Sequence, residues 1–116
     1  MTENKYDLEE RTLKFSNDII ELVKNIGKNA VNSPLISQLI RSSTSIGANY
    51  REANGASSKK DFRNKIFICK KEAKETLYWL ELIKKIDFKK DNILYLQKEC
   101  LELTKIFSKI CSSIKD

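Results

Sequence analysis

Phe62-Arg-Asn-Lys-Ile-Phe-Ile-Cys-Lys-Lys-Glu-Ala-Lys-Glu-Thr-Leu-Tyr-Trp-Leu-Glu-Leu-Ile83 is the stretch on which the fold turns. Within it Phe62, Ile66, Cys69, Ala73, Thr76, Leu80 and Ile83 follow one another at alternating spacings of four and three. That spacing returns a side chain to the same face of an α-helix, and its persistence over several heptads marks a packing seam. Ser58 with Asp61 three residues later resembles a capping box, with Asp in the place of Glu, and starts the helix. The helix is predicted to run to near Ile86, with Asp87 to Asp91 as a short charged turn.

Outward from this segment the same period recurs. Leu8, Thr12, Phe15, Ile19, Leu22 and Ile26 form a first stripe, widened by Leu13, Ile20 and Val23. Gly27 lies just past it and is expected to stop that helix in the left-handed conformation. Ser33-Pro34 then reads as a cap followed by proline in the first helical position, and opens a second helix that reaches about Asn54 and ends at Gly55. Its inner arc is Leu35, Ile36, Leu39, Ile40, Ser43, Ile46, Gly47, Tyr50 and Ala53. Between Ser42 and Ala48 nearly every side chain is small, which predicts a close approach by a neighbouring helix. The last helix, capped by Asp91 or Asn92, has the seam Ile93, Leu96, Cys100, Leu103, Phe107, Ile110 and Ile114. Four amphipathic helices joined by short loops predict an all-α, antiparallel, up-down-up-down four-helix bundle, with residues 1–116 as a single domain.

Composition agrees. The chain has 116 residues but only three Gly and one Pro, so turn material suffices for only a few long helices. Cys69, Cys100 and Cys111 cannot all pair within the chain, fall on apolar stripes, and read as reduced core residues. With no leader-like N-terminus and no apolar run of membrane-spanning length, the expected location is cytoplasmic.

The formal charge is +6 and it is unevenly placed: between Lys59 and Lys90 there are eleven basic and five acidic residues, which is the whole excess. On a wheel of about 100° per residue, Lys60, Arg63, Lys70, Lys71, Lys74 and Lys85 share one sector, with Phe67 and Tyr78 inside it. Cations neutralise phosphates and an interleaved aromatic can stack on an unpaired base. The competing reading is a solvated lysine-rich face whose two aromatics meet another helix or subunit. A second excess is apolar. Phe67, Ile68, Tyr78, Trp79, Leu82 and Ile86 lie outside the main seam of the third helix, more than one partner helix can cover. Some of it broadens the core, the commoner explanation for any single residue; taken together the surplus points to a subunit interface with Trp79, Leu82 and Ile86 as its anchors.

Catalysis is not expected. The chain has no histidine, which removes the commonest general base and most zinc and haem sites, and it has no glycine-rich phosphate loop. Glu72 with Glu75 and Glu99 with Glu102 stand at helical spacing, but beside so many lysines they read as surface charges that support their helices, not as metal ligands. No cofactor and no metal are expected.

Ser37-Gln-Leu-Ile-Arg-Ser-Ser-Thr-Ser-Ile-Gly-Ala-Asn49, Arg51-Glu-Ala53, Ser57-Ser-Lys-Lys-Asp-Phe62 and Lys71-Glu-Ala-Lys-Glu-Thr-Leu-Tyr-Trp-Leu-Glu-Leu82 together resemble the four-helix bundle family of 23S ribosomal RNA intervening-sequence proteins. A more distant similarity is to the accessory variability protein of diversity-generating retroelements. One departure is Gly47, where many members have Pro. The resemblance implies an up-and-down bundle assembled as a homopentameric ring, with no known catalytic activity. Taken with the basic stripe, it leads to an expected function as a bacterial, non-enzymatic, oligomeric binder of structured RNA or other nucleic acid. The alternative is a protein-interaction scaffold, or an accessory subunit for an enzyme such as a reverse transcriptase.

Overall fold

The structure, a computed structural model, describes residues 7–114; the two ends of the 1–116 span expected to form one domain lie outside the described residues. Four helices follow one another: α1 (Asp7–Val23), α2 (Asn32–Asn54), α3 (Lys59–Ile83) and α4 (Lys90–Ser113). Among the described residues there is no strand, and no helix is long and apolar enough to cross a membrane.

Residue pairs that bond across the helices give their directions. Asn54 donates to Glu9 at 2.8 Å, while Ile20 and Ile40 line one recess, so α1 and α2 run antiparallel. Lys65 pairs with Glu52 and Thr76 donates to Ser42, which reverses α3 against α2. Gln97 donates to Glu81 and Cys100 to the Ala73 carbonyl, which reverses α4 against α3. Arg11 holds Glu99 through two hydrogen bonds of 2.7 and 2.9 Å, so α4 packs against α1 and the layout closes into a bundle.

The predicted seams are the core, but Leu13 and Ile20, expected to widen the α1 stripe, are exposed. Phe15, Ile19, Leu39, Ile46, Ile66, Leu80, Ile83, Ile93, Leu103 and Phe107 are fully buried, and Tyr50 of α2 meets Phe107 of α4 within the core, ring centroids 5.9 Å apart. The small-residue segment of α2 is approached from two sides. Ser42 and Ser43 are buried, Cys69 of α3 donates to the Ile46 carbonyl, and Gly47 faces Thr12 of α1. A methyl group at Gly47 would meet Thr12 Oγ1 at 3.1 Å and Cβ at 3.2 Å, so glycine stands there because α1 comes so close.

The helix ends correct several expectations. No glycine takes a positive φ. α1 stops at Val23, before Gly27, and unwinds through a tighter bond from Ile26 N–H to the Val23 carbonyl. Ser33 does not cap α2, which already begins at Asn32. Asn29 does that work: its Oδ1 accepts from the amides of Val31 and Asn32 at 2.9 and 2.7 Å, and its carbonyl accepts from Ser33 N–H. Pro34 falls at the third helical position, where its missing N–H is still no loss. Neither Asp91 nor Asn92 caps α4; both lie within its first turn, where Asp91 favours the positive helix pole, and Asp87 Oδ1 accepts from Lys89 N–H just outside. Ser58 does cap α3, accepting from Asp61 N–H at 3.0 Å, while Asp61 takes the Ser57 amide. α3 ends at Ile83, so Lys85 and Ile86 lie in the turn that follows it.

Candidate functional site

α3 lays its seam against α2 on one side and α4 on the other, and its remaining face carries the basic stripe. Lys60, Arg63, Phe67, Lys71, Lys74 and Tyr78 are exposed there, Lys70 is half-buried toward α4, and Lys85 continues the row as an exposed residue of the following turn. From Lys60 to Lys74 the row is about 21 Å long at the helical rise of about 1.5 Å per residue. Among the described residues no carboxylate forms a salt bridge with Lys60, Lys70, Lys71, Lys74 or Lys85. This contrasts with Lys65, one turn away on the α2 side, which is tied to Glu52 at 2.7 Å. The contrast has a local cause: Glu72 and Glu75 are turned to Arg41 of α2, while the exposed Glu81 is engaged by Gln97 of α4 and by Lys84, near Lys85, so the stripe lysines from Lys60 to Lys74 stand without an acidic pair.

The two aromatics of the stripe are solvent-facing, Phe67 at 56% and Tyr78 at 60% exposure. Lys70 Nζ lies 6.0 Å from the Phe67 ring centroid. Beside this pair a cleft of 380 Å³ opens between α3 and the last turns of α4, walled by Arg63, Asn64, Phe67 and Lys70 from the first and Ser108, Cys111 and Ser112 from the second. The α4 half of this cleft was not legible in the sequence, because it depends on which residues of a separate helix come opposite Phe67. Cys111, expected in the core, is only partly buried there, whereas Cys69 and Cys100 are buried as expected. A larger recess, 630 Å³ and mainly apolar, lies at the other end of the bundle between α1 and α2 and has no part in the stripe.

The expected interface anchors lie in a different sector. Trp79, Leu82 and Ile86 are each half-buried, and Trp79 and Ile86 pack against the core. Trp79 Nε1 donates to Glu75 at 2.9 Å, and its ring meets Tyr78 edge-on, centroids 5.0 Å apart. Glu72 and Glu75, read from sequence as surface charges, instead form a network between helices: Arg41 of α2 reaches Glu72 at 3.2 Å and also binds Glu75, while its Nε donates to Gln38. Glu72 is buried. Glu99 likewise ties α4 to Arg11 of α1, while Glu102 remains exposed. The physical reason is the same for Glu72, Glu75 and Glu99: each carboxylate has an arginine opposite it on a neighbouring helix, which the spacing along one helix does not reveal.

Comparison with known proteins sets this geometry among relatives. The family described as 23S rRNA-intervening sequence protein matches residues 4–109. The chain is also similar to a solved structure, a protein of unknown function from the S23 ribosomal protein family of Bacteroides thetaiotaomicron. The two are 36% identical with a TM-score of 0.81, over 91% of this chain and 99% of that one. No curated protein matches the chain.

Proposed function

Since the chain belongs to the family of 23S rRNA-intervening sequence proteins, we propose that it is a non-enzymatic, homo-oligomeric binder of RNA or other nucleic acid that uses the outward face of α3. The observation that carries this reading is the row of exposed lysines left without carboxylate partners, interleaved with two exposed aromatics. A solvated face made only for solubility mixes its signs, as the Lys14–Asp18 and Lys24–Glu21 pairs of α1 do. A face of one sign attracts a polyanion and releases its counterions. Oligomerisation would repeat that face on one body and raise the effective concentration of weak sites.

Salt dependence tests it. A variant with Lys60→Gln, Lys71→Gln and Lys74→Gln leaves the core seam untouched. Against duplex RNA it should flatten the dependence of log affinity on log salt by roughly one unit for each phosphate that is no longer neutralised. A wild-type protein with no affinity for RNA or DNA at about 10 μM in about 0.15 M salt, where non-specific binders already associate, would instead favour a protein scaffold whose stripe meets an acidic partner.

A further inference from the structure

We propose that the cleft between α3 and the end of α4 receives one unpaired nucleotide, its base stacked on Phe67 and its phosphate on Lys70. This rests on the nucleic-acid reading of the stripe and adds to it a strand preference. A row of lysines alone is satisfied by any phosphate backbone and does not distinguish duplex from single strand. An aromatic face is different, because the bases of a duplex are already stacked on one another and only a splayed base can lie on it.

Three features converge on the cleft. Phe67 is more than half exposed although it stands on a helix with a full core seam of its own. Lys70 is near enough to that ring, at 6.0 Å, for the cation and the stacking surface to serve one ligand residue. The opposite wall supplies hydroxyls from Ser108 and Ser112, with Cys111 between them, in a recess of 380 Å³ that suits a single nucleotide more than a helix groove. The end of α4 works against an anion, since the negative pole of its backbone dipole lies at Ser113. It carries about half a charge, and the full cation of Lys70 outweighs it.

The test compares a single-stranded RNA of about 12 nucleotides, within the usual site size of single-strand binders, with the duplex of the same length. Phe67→Ala is expected to weaken single-strand binding roughly 5- to 150-fold, the range typical of removing one stacking platform. Duplex affinity should hold, and Phe67→Trp should keep the strand preference. Bound single strand should also slow alkylation of Cys111, the one partly exposed cysteine among the described residues. Equal losses on single strand and duplex, or none on either, overturn the nucleotide subsite and leave the stripe standing. A wild type that binds no nucleic acid overturns both. A drop in oligomer mass in Phe67→Ala assigns the ring to a subunit contact and also overturns the subsite.

Discussion

Burial pushes the Cys69 and Cys100 thiols up to about 12, while Cys111 stands partly exposed at the rim of the α3–α4 cleft. The thiolate is the reacting species, so near neutral pH the two core thiols should be inert and Cys111 should take up an alkylating reagent alone. Mass spectrometry of the native protein should show a single adduct, and of the unfolded protein three, one for each cysteine. Two adducts in the native state would show that the core opens. The same two residues bear on alkaline stability. In the unfolded chain they ionise near their ordinary value of 9, while in the bundle they hold their protons to about 12. Across that window the folded state binds more protons, so stability falls as pH rises. Cys100→Ala should make the fall shallower in denaturant titrations between these two pH values. Neither residue's burial depended on partners hidden from the sequence, since both stand on uninterrupted seams.

Within an element the seam is legible and its ends are not. The alternating spacing of α3 returns Ile66, Cys69, Ala73, Thr76, Leu80 and Ile83, all buried. Helix ends rest on single hydrogen bonds, and several nearby side chains compete to make them. At α2 both Ser33 and Asn29 carry a suitable oxygen; the chain enters along a turn that presents Asn29 Oδ1 to two free amides and leaves Ser33 exposed. Asn29→Ala should therefore cost about 0.5–2 kcal/mol in chemical denaturation, the usual weight of a missing cap, and Ser33→Ala almost nothing. A larger loss from Ser33→Ala would return the cap to the serine. The site shows the same division. Which α3 residues point outward could be read from the period: Lys60, Arg63, Phe67, Lys71, Lys74 and Tyr78 are exposed, while Lys70 is half-buried and Lys85 lies in the turn beyond the helix. That Glu72 is buried against Arg41, or that Ser108 and Ser112 stand opposite Phe67, depends on register between helices far apart in sequence.

For the whole molecule the open quantity is the number of copies. Trp79 divides its surface between the core and solvent, with its indole nitrogen already bonded to Glu75, so the exposed remainder of the ring is apolar area available to a second subunit. Light scattering coupled to size exclusion should report a homo-oligomer at micromolar protein, a pentamer in the ring arrangement that the family resemblance implies. Trp79→Ala should lower that mass while the helical circular dichroism persists. Loss of folding without a smaller folded species would make Trp79 a core residue and remove it from the interface. The connections between helices bear on a different question. No described residue, glycine or otherwise, needs a positive φ, and a side chain at Gly27 would meet no atom within 4 Å. The α1–α2 link thus makes no demand on amino-acid type beyond the Asn29 cap, whereas Ser58 and Asp87 hold the ends of the other two, and closing a flexible loop of twice the length costs only about 0.6 kcal/mol. The α1–α2 link at Gly27 and Lys28 is therefore a place where evolution or an engineer can splice in a foreign peptide, displayed at the end of the bundle remote from the cleft, without re-solving the fold.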